Sequence, residues 1–198
     1  MKKFFITLAA LFALTLPSFS QSKNSKVLVT YFSRADENYS VGTIKEGNTA
    51  KIANLIAQKT GADLFEIKTQ KPYPKSYKEC TDVAMTEKNQ NARPVLAADL
   101  TQEEISKYDT IFIGYPIWWG DMPMALYTFL ESKNLDGKTI IPFCTHEGSG
   151  LSGTAGILKS MFKKSTVKNG LAIRGKIAQN DKVASEKAVD AWIKKVGF

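Results

Sequence analysis

Residues that bind metals or form disulfide frameworks are scarce in this sequence of 198 residues. It contains one histidine, no Cys-x-x-Cys pair and only two cysteines, Cys80 and Cys144, so a zinc site would lack ligands. Cys144 closes the apolar run at residues 140–143, which is typical of a buried strand position. We therefore expect two free thiols, although an oxidising compartment would also permit a disulfide.

Motifs of several common catalytic folds are also missing. The loop at residues 33–48 lacks Gly-x-x-x-x-Gly-Lys-Thr/Ser and Gly-x-Gly-x-x-Gly, which argues against a nucleoside triphosphatase and against a nicotinamide dinucleotide fold. The sequence contains no Gly-x-Ser-x-Gly. His146, Glu147 and Ser149 therefore do not have the sequence context of a serine hydrolase.

Acidic residues are fewer than basic ones, and the formal net charge is +8 at pH 7. The lysines are spread along the chain, without an arginine-rich arm or an aromatic-basic repeat. This pattern argues against a nucleic-acid partner and favours a solvated basic surface. The length suits one compact domain with a two-sided core.

The first twenty residues differ from the rest of the chain. A basic start at residues 1–3 precedes an apolar stretch at residues 4–16 and small residues at 18 and 20. This order predicts a cleaved secretory signal over residues 1–20, with a buried first helix or an uncleaved anchor as alternatives. We expect a mature protein without stable membrane insertion, exported most readily to a bacterial periplasm, whose net charge falls to +6 when Lys2 and Lys3 are lost.

Apolar strand patterns alternate with helical patterns along residues 26–198. Strands are predicted at 26–32, 63–67, 108–115, 138–144 and 167–174. Helices are predicted at 49–59, 75–88, 157–162 and 189–196, and a further helix that extends to residue 130 is predicted with Asp121 as its cap and Pro123 in its first turn. The alternation indicates an α/β fold with a doubly wound five-stranded parallel sheet in a three-layer α/β/α arrangement. Because ligands bind outside the carboxyl ends of such strands, loops 33–48, 115–121 and 145–153 should face one shared site.

Two of these loops have features of phosphate and ring binding. Asn48 or Thr49 can cap the helix at 49–59 and Gly61 can end it. Ser33, Asn48 and Thr49 at a helix N-terminus suit a phosphate, although plain capping is an alternative. The second loop, residues 115–120, reads Tyr-Pro-Ile-Trp-Trp-Gly. Its indoles can bind a planar ring system or pack over the strand ends.

The third loop begins at Thr145 and includes glycines at 148 and 150. These glycines permit close backbone contact with a flat ligand. Together, the three loops resemble those of the flavodoxin-like family. The residues that carry the resemblance are Tyr31-Phe32-Ser33 with Gly47-Asn48-Thr49, residues 115–120 and residues 143–150. The resemblance is strongest for a bacterial branch with a long first loop and a Trp-Trp second loop, and it covers residues 26–198.

The resemblance implies that flavin mononucleotide (FMN) binds at the strand ends. The first loop would bind the phosphate, Trp118 would stack on the isoalloxazine, Gly120 would lie near flavin N5, and the third loop would line the pyrimidine edge. The expected FMN-binding residues are Ser33, Asn48, Thr49, Pro116, Ile117, Trp118, Trp119, Gly120, Thr145, His146, Gly148, Ser149 and Gly150.

The implied function is electron transfer or oxidoreductase activity through bound FMN, with a protein, a nicotinamide or a quinone as redox partner. The alternative is a binding module of the same fold without redox turnover. No catalytic acid or base is predicted, and His146 is only a candidate proton donor or charged neighbour of the flavin.

Three departures from short flavodoxins affect this expectation. The longer first loop leaves the roles of Arg34 and Asp36 open. The third loop has no tyrosine or tryptophan, so the outer flavin face is either bare or covered by Trp119 or by Tyr73 and Tyr77. The basic charge argues against a low-potential electron shuttle, because a neutral or positive neighbour favours the anionic reduced flavin.

Overall fold

A computed structural model describes residues 26–198, so the predicted signal at residues 1–20 lies outside the described residues. The strands are β1 (Val27–Phe32), β2 (Asp36–Asn38), β3 (Gly42–Ile44), β4 (Asp63–Ile67), β5 (Thr110–Pro116), β6 (Thr139–His146), β7 (Thr166–Val167) and β8 (Leu171–Arg174). The helices are α1 (Asn48–Thr60), α2 (Tyr77–Asn89), α3 (Gln102–Ser106), α4 (Met124–Glu131), α5 (Thr154–Met161), α6 (Gly175–Asn180) and α7 (Lys182–Val196). Within residues 26–198, no helix combines the length and the apolar character needed to cross a bilayer.

The main sheet is parallel, in the order β4-β1-β5-β6, and β7 and β8 share the position beside β6. The chain moves from β1 outward to β4 and then crosses to β5 on the other side of β1. The strand order therefore reverses between β1 and β5, and ligands of open α/β sheets bind at such a point. This arrangement confirms the predicted doubly wound sheet of five strand positions.

Helices cover both faces of the sheet. On one face α1 and α7 bury an apolar cluster that includes Phe112 and Trp192. On the other face α4 and α5 bury a cluster that includes Ile111, Ile113 and Phe129. Successive residues of β5 thus enter opposite clusters, which explains why this strand reads as a continuous apolar run.

The fifth strand, predicted at residues 167–174, is interrupted. Ile140 pairs with Val167, whereas Phe143 pairs with Leu171, so β8 is shifted by one residue relative to β7. The extra residue forms a break at residues 168–170, as in a β-bulge. It lies beside Pro142, which has no amide hydrogen to offer a neighbouring strand.

The predicted cap of the fourth helix at Asp121, with Pro123 in the first turn, was wrong. Pro123 occupies the N-cap position, and α4 begins at Met124. Because the residue before a proline is disfavoured in helical conformation, Met122 cannot easily extend the helix toward Asp121. The Asp121 carboxylate instead accepts hydrogen bonds from Met122 N at 2.7 Å and from the Tyr127 hydroxyl at 2.8 Å.

Several short elements were not predicted. The long first loop folds into the antiparallel hairpin β2–β3. Helix α3 begins with a reciprocal capping box between Thr101 and Glu104, whose Thr-x-x-Glu spacing is visible in the sequence. Helix α6 follows β8 directly.

Candidate functional site

A cleft of about 370 Å³ lies where β1, β5 and β6 end, within the size range of small-molecule sites. All three predicted loops contribute to it, and α2 forms part of its wall. The predicted residues that line the cleft are Asn48, Pro116, Ile117, Trp118, Trp119, Thr145 and His146.

The six remaining predicted residues lie beside the cleft. Ser33 lines a neighbouring groove with Gly47. Thr49 is buried, and its hydroxyl lies 2.8 Å from the hydroxyl of Thr145, which joins the first and third loops. The other four occupy the turns that follow β5 and β6; they are Gly120, Gly148, Ser149 and Gly150.

The N-terminus of α1 forms one end of the site. Gly47, rather than Asn48 or Thr49, is the N-cap residue, and glycine has no side chain that could bond to the amides of the helix. Ser33 takes over this role, because its hydroxyl oxygen accepts from Ala50 N at 3.0 Å. A Cβ at Gly47 would overlap this hydroxyl, so glycine permits the close approach of the first loop to the helix.

Asn48 lies between the helix N-terminus and the cleft. Its side-chain oxygen is buried and has no hydrogen-bond partner within residues 26–198. A buried amide oxygen without a donor is costly. This acceptor therefore suits a ligand that carries a hydroxyl or amide donor into the cleft.

The two adjacent indoles of the second loop have different surroundings. Trp118 is half-buried and lies edge-on to Phe32 at 5.3 Å and to Tyr73 at 5.0 Å between ring centroids. Trp119 is 49% exposed and adopts a φ of 52°. Residues 118–121 form a tight turn, in which Trp118 N donates to Asp121 O and Asp121 N donates to Trp118 O.

Tyrosines on the opposite wall enlarge the aromatic lining. Tyr39 of the β2–β3 turn and Tyr77 of α2 both line the cleft, with ring centroids 6.0 Å apart. Tyr73 packs inward instead, and its hydroxyl donates to Glu87 at 2.7 Å. Tyr39 was not predicted as a site residue, because its placement depends on a hairpin that the sequence pattern did not indicate.

His146 ends β6 with its ring fixed by the loop that follows. Its Nδ1 accepts from Gly148 N at 2.9 Å and from Gly150 N at 3.1 Å, so the neutral ring carries its proton on Nε2. Burial lowers the pKa of His146 below its usual 6.5, Arg174 acts in the same direction, and Glu147 opposes them. His146 is therefore a neutral hydrogen-bond donor at pH 7.

Two glycine amides of the third loop already have partners within the loop. Residues 148–153 have the spacing Gly-x-Gly-x-x-Gly between β6 and α5. However, Gly148 N and Gly150 N bond to His146, while Ser152 N and Thr154 N bond to carbonyls of the same loop. Amides that already have partners are not free to bind an anion.

Both thiols are free and buried, as expected. Cys80 lines the cleft from α2, and burial raises the pKa of its thiol. Burial also raises the pKa of Cys144 to about 12. Residues 26–198 contain no cluster of three or more side chains suited to a metal ion.

An open parallel sheet with an aromatic cleft at its strand-order reversal defines a flavodoxin-like α/β protein. The family model described as flavodoxin matches residues 26–196. The chain therefore belongs to the flavodoxin family, which confirms the resemblance at the level of the family.

Solved structures agree with this assignment. A Bacteroides eggerthii protein described as a flavoprotein is 32% identical, with a TM-score of 0.69 over 88% of this chain and 99% of its own. A similarly described Bacteroides uniformis protein is 30% identical, with a TM-score of 0.65 over 87% and 99%. A Lactobacillus acidophilus flavoprotein solved in complex with FMN shares the fold at 23% identity, with a TM-score of 0.60 over 85% and 98%. No curated protein matches the chain.

Proposed function

We propose that this protein binds FMN in the cleft and acts as an exported redox flavoprotein. The observation that carries the proposal is the position of the cleft, where an aromatic wall meets the N-terminus of α1 at the strand-order reversal. FMN has a flat ring at one end and a phosphate at the other, and the cleft offers matching surfaces in that order.

The residues present fit each part of FMN. Trp118 and Trp119 offer flat faces for the ring. Asn48 Oδ1, buried without a partner, can accept from a ribityl hydroxyl. Ser33 and the first turn of α1 suit the phosphate. The Ser33 hydroxyl accepts from Ala50 N and can still donate its own hydrogen to a phosphate oxygen, and a helix N-terminus presents a positive dipole end.

The bound flavin would supply the electron chemistry, while the protein would bind it, exclude water and tune its potential. His146 contributes a neutral Nε2–H donor, and Arg34 contributes a positive charge to the cleft lining. Both favour negative charge on a ligand. We therefore expect a higher reduction potential than an acidic site would give.

FMN binding can be tested with the protein from residue 21 onward. Titration with FMN should quench tryptophan fluorescence, and the purified complex should be yellow and release FMN on denaturation. Riboflavin, which lacks the phosphate, should bind more weakly, because it cannot use the helix N-terminus. Unchanged tryptophan fluorescence at saturating FMN would refute the proposal.

The redox role requires a separate test. Stopped-flow mixing of the FMN complex with NADH, NADPH or a quinol should bleach the flavin absorbance with at least one donor at a saturable rate. Reduction by dithionite alone would instead favour a binding module. The predicted export is tested by fractionating the source cells and sequencing the N-terminus of the mature protein.

A further inference from the structure

The outer side of the cleft is formed by two segments that meet at Arg34. We call these segments, residues 36–44 and 74–89, the cleft wall. The guanidinium of Arg34 donates to Glu37 O in the first segment. It also donates to Pro74 O at 3.2 and 2.7 Å and to Lys75 O at 2.6 Å in the second. One side chain thus joins parts of the chain that are about forty residues apart.

Two more hydrogen bonds join the same segments. Glu37 N donates to Lys75 O at 3.2 Å, and Tyr77 N donates to the Glu37 carboxylate at 2.8 Å. The joined segments carry Tyr39 and Tyr77, the aromatic residues on this side of the cleft. The orientation of this aromatic surface therefore depends on the bonds around Arg34.

The contacts of Arg34 require the shape of a guanidinium as well as its charge. Within residues 26–198, no carboxylate lies within salt-bridge distance of Arg34. Its Nη1 donates to Glu37 O, its Nε and Nη2 donate to Pro74 O, and Nη2 also donates to Lys75 O. A planar fork can reach them together, whereas a lysine ammonium concentrates its donors at one point.

We propose that Arg34 is a positioning residue that holds the cleft wall closed over FMN and thereby slows FMN release. This inference rests on the proposed function. An exported flavoprotein leaves the compartment that makes FMN, so slow release would preserve its cofactor. Arg34 is placed for this role because it follows Ser33, the residue that caps α1 at the phosphate end.

The test compares Arg34→Gln and Arg34→Lys with Arg93→Gln as a matched control. Arg93 follows α2 and makes a two-point contact with Glu131, away from the cleft. FMN release is measured by trapping free FMN with excess apoflavodoxin of another species. Amide hydrogen exchange at Glu37 and Tyr77 is measured on the protein without FMN.

Both Arg34 variants should release FMN about tenfold faster or more, since bonds to a charged donor are among the stronger ones. Exchange at Glu37 and Tyr77 should also rise, while Arg93→Gln changes neither quantity. A wild-type release rate in Arg34→Gln would overturn the inference. Full rescue by Arg34→Lys would overturn it as well, because charge alone would then suffice.

Failure of the proposed function gives a different result. Wild-type protein that takes up no FMN would refute FMN binding. The exchange rates of the protein without FMN would still decide whether Arg34 holds the cleft wall, and unchanged exchange in Arg34→Gln would refute that role.

Discussion

Trp118 and Trp119 are adjacent but can serve a flat ligand in different ways. Trp118 is braced by Phe32 and Tyr73, so its orientation is fixed before a ligand binds. Trp119 is held by a bond from its Nε1 to Thr81 O at 3.0 Å, yet half of its surface is exposed. Pre-organised aromatic residues lose less conformational entropy on binding.

Single substitutions can therefore assign the stacking residue. We expect Trp118→Ala to weaken FMN binding about 5- to 150-fold, since loss of a stacked ring costs about 1–3 kcal/mol in comparable base-stacking sites. Trp118→Phe, which keeps an aromatic face, should lose less. Fluorescence titration gives the affinities, and urea unfolding shows whether either variant has lost stability.

The control is Trp192→Phe, because Trp192 packs against Phe112 in the cluster under α7. This variant should keep wild-type FMN affinity. If Trp118→Ala instead kept wild-type affinity, Trp118 would not be the residue that stacks on the flavin, and Trp119 would become the candidate.

His146 makes stability depend on pH in a predictable direction. Its pKa in the folded protein lies below the unfolded value of about 6.5, so near pH 6 the unfolded chain binds more protons. Stability contributed by the neutral ring is complete above pH 6.5 and is lost as pH falls below it. Protonation of Nδ1 would also break the bonds from Gly148 N and Gly150 N.

We expect the difference in unfolding free energy between wild type and His146→Gln to shrink as pH falls from 7 to 5. Urea unfolding at several pH values measures it. Since His146 is the only histidine, its ring signals in an NMR titration report the pKa directly. A titration midpoint at or above 6.5 would contradict the expected sign.

At the scale of elements, the N-terminus of α1 depends on Gly47. Alanine there would push Ser33 away from Ala50 N. We expect Gly47→Ala to lower the free energy of unfolding by about 1–3 kcal/mol, as other overpacking changes do, and to weaken FMN binding more than riboflavin binding. Thermal unfolding and paired titrations measure the two effects.

Gly156 in α5 provides the matched control. A Cβ there meets no atom within 4 Å, so Gly156→Ala should raise the free energy of unfolding by about 0.5–1 kcal/mol through helix propensity. A lower free energy of unfolding in Gly156→Ala would contradict the open space around Gly156. An unchanged free energy of unfolding in Gly47→Ala would contradict the close approach of Ser33 to Gly47.

Local patterns in the sequence were sufficient to predict elements that local forces determine. Helix α1 was predicted from its apolar spacing, and Gly61 ends it in left-handed conformation as expected. The cap was mispredicted because the capping atom belongs to Ser33, seventeen positions before Ala50. The break between β7 and β8 was missed because it is a change of register against a neighbouring strand, β6, where Ile140 pairs with Val167 but Phe143 pairs with Leu171.

The candidate site shows the same limit at the scale of the whole molecule. Three loops were expected to converge because a parallel sheet brings strand ends to one edge, and seven predicted residues do line the cleft. The wall formed by Tyr39, Tyr77 and Cys80 was largely missed. It depends on long-range bonds from Arg34 to Pro74 O and Lys75 O that no periodic pattern records.

Net charge gives a prediction about redox partners. The chain has a formal charge of +8, or +6 without Lys2 and Lys3, and a basic surface attracts anions over a distance set by salt. The reduced FMN complex should therefore be oxidised by anionic ferricyanide about tenfold faster at 0.01 M than at 0.5 M salt, within the range of electrostatic steering. Oxidation by a cationic ruthenium hexaammine should instead speed up with salt, because screening removes repulsion. Stopped-flow absorbance measures both rates. The opposite salt dependence would contradict the prediction, because it would mean that acidic groups dominate the electrostatic field at the cleft. The protein would then suit a basic redox partner.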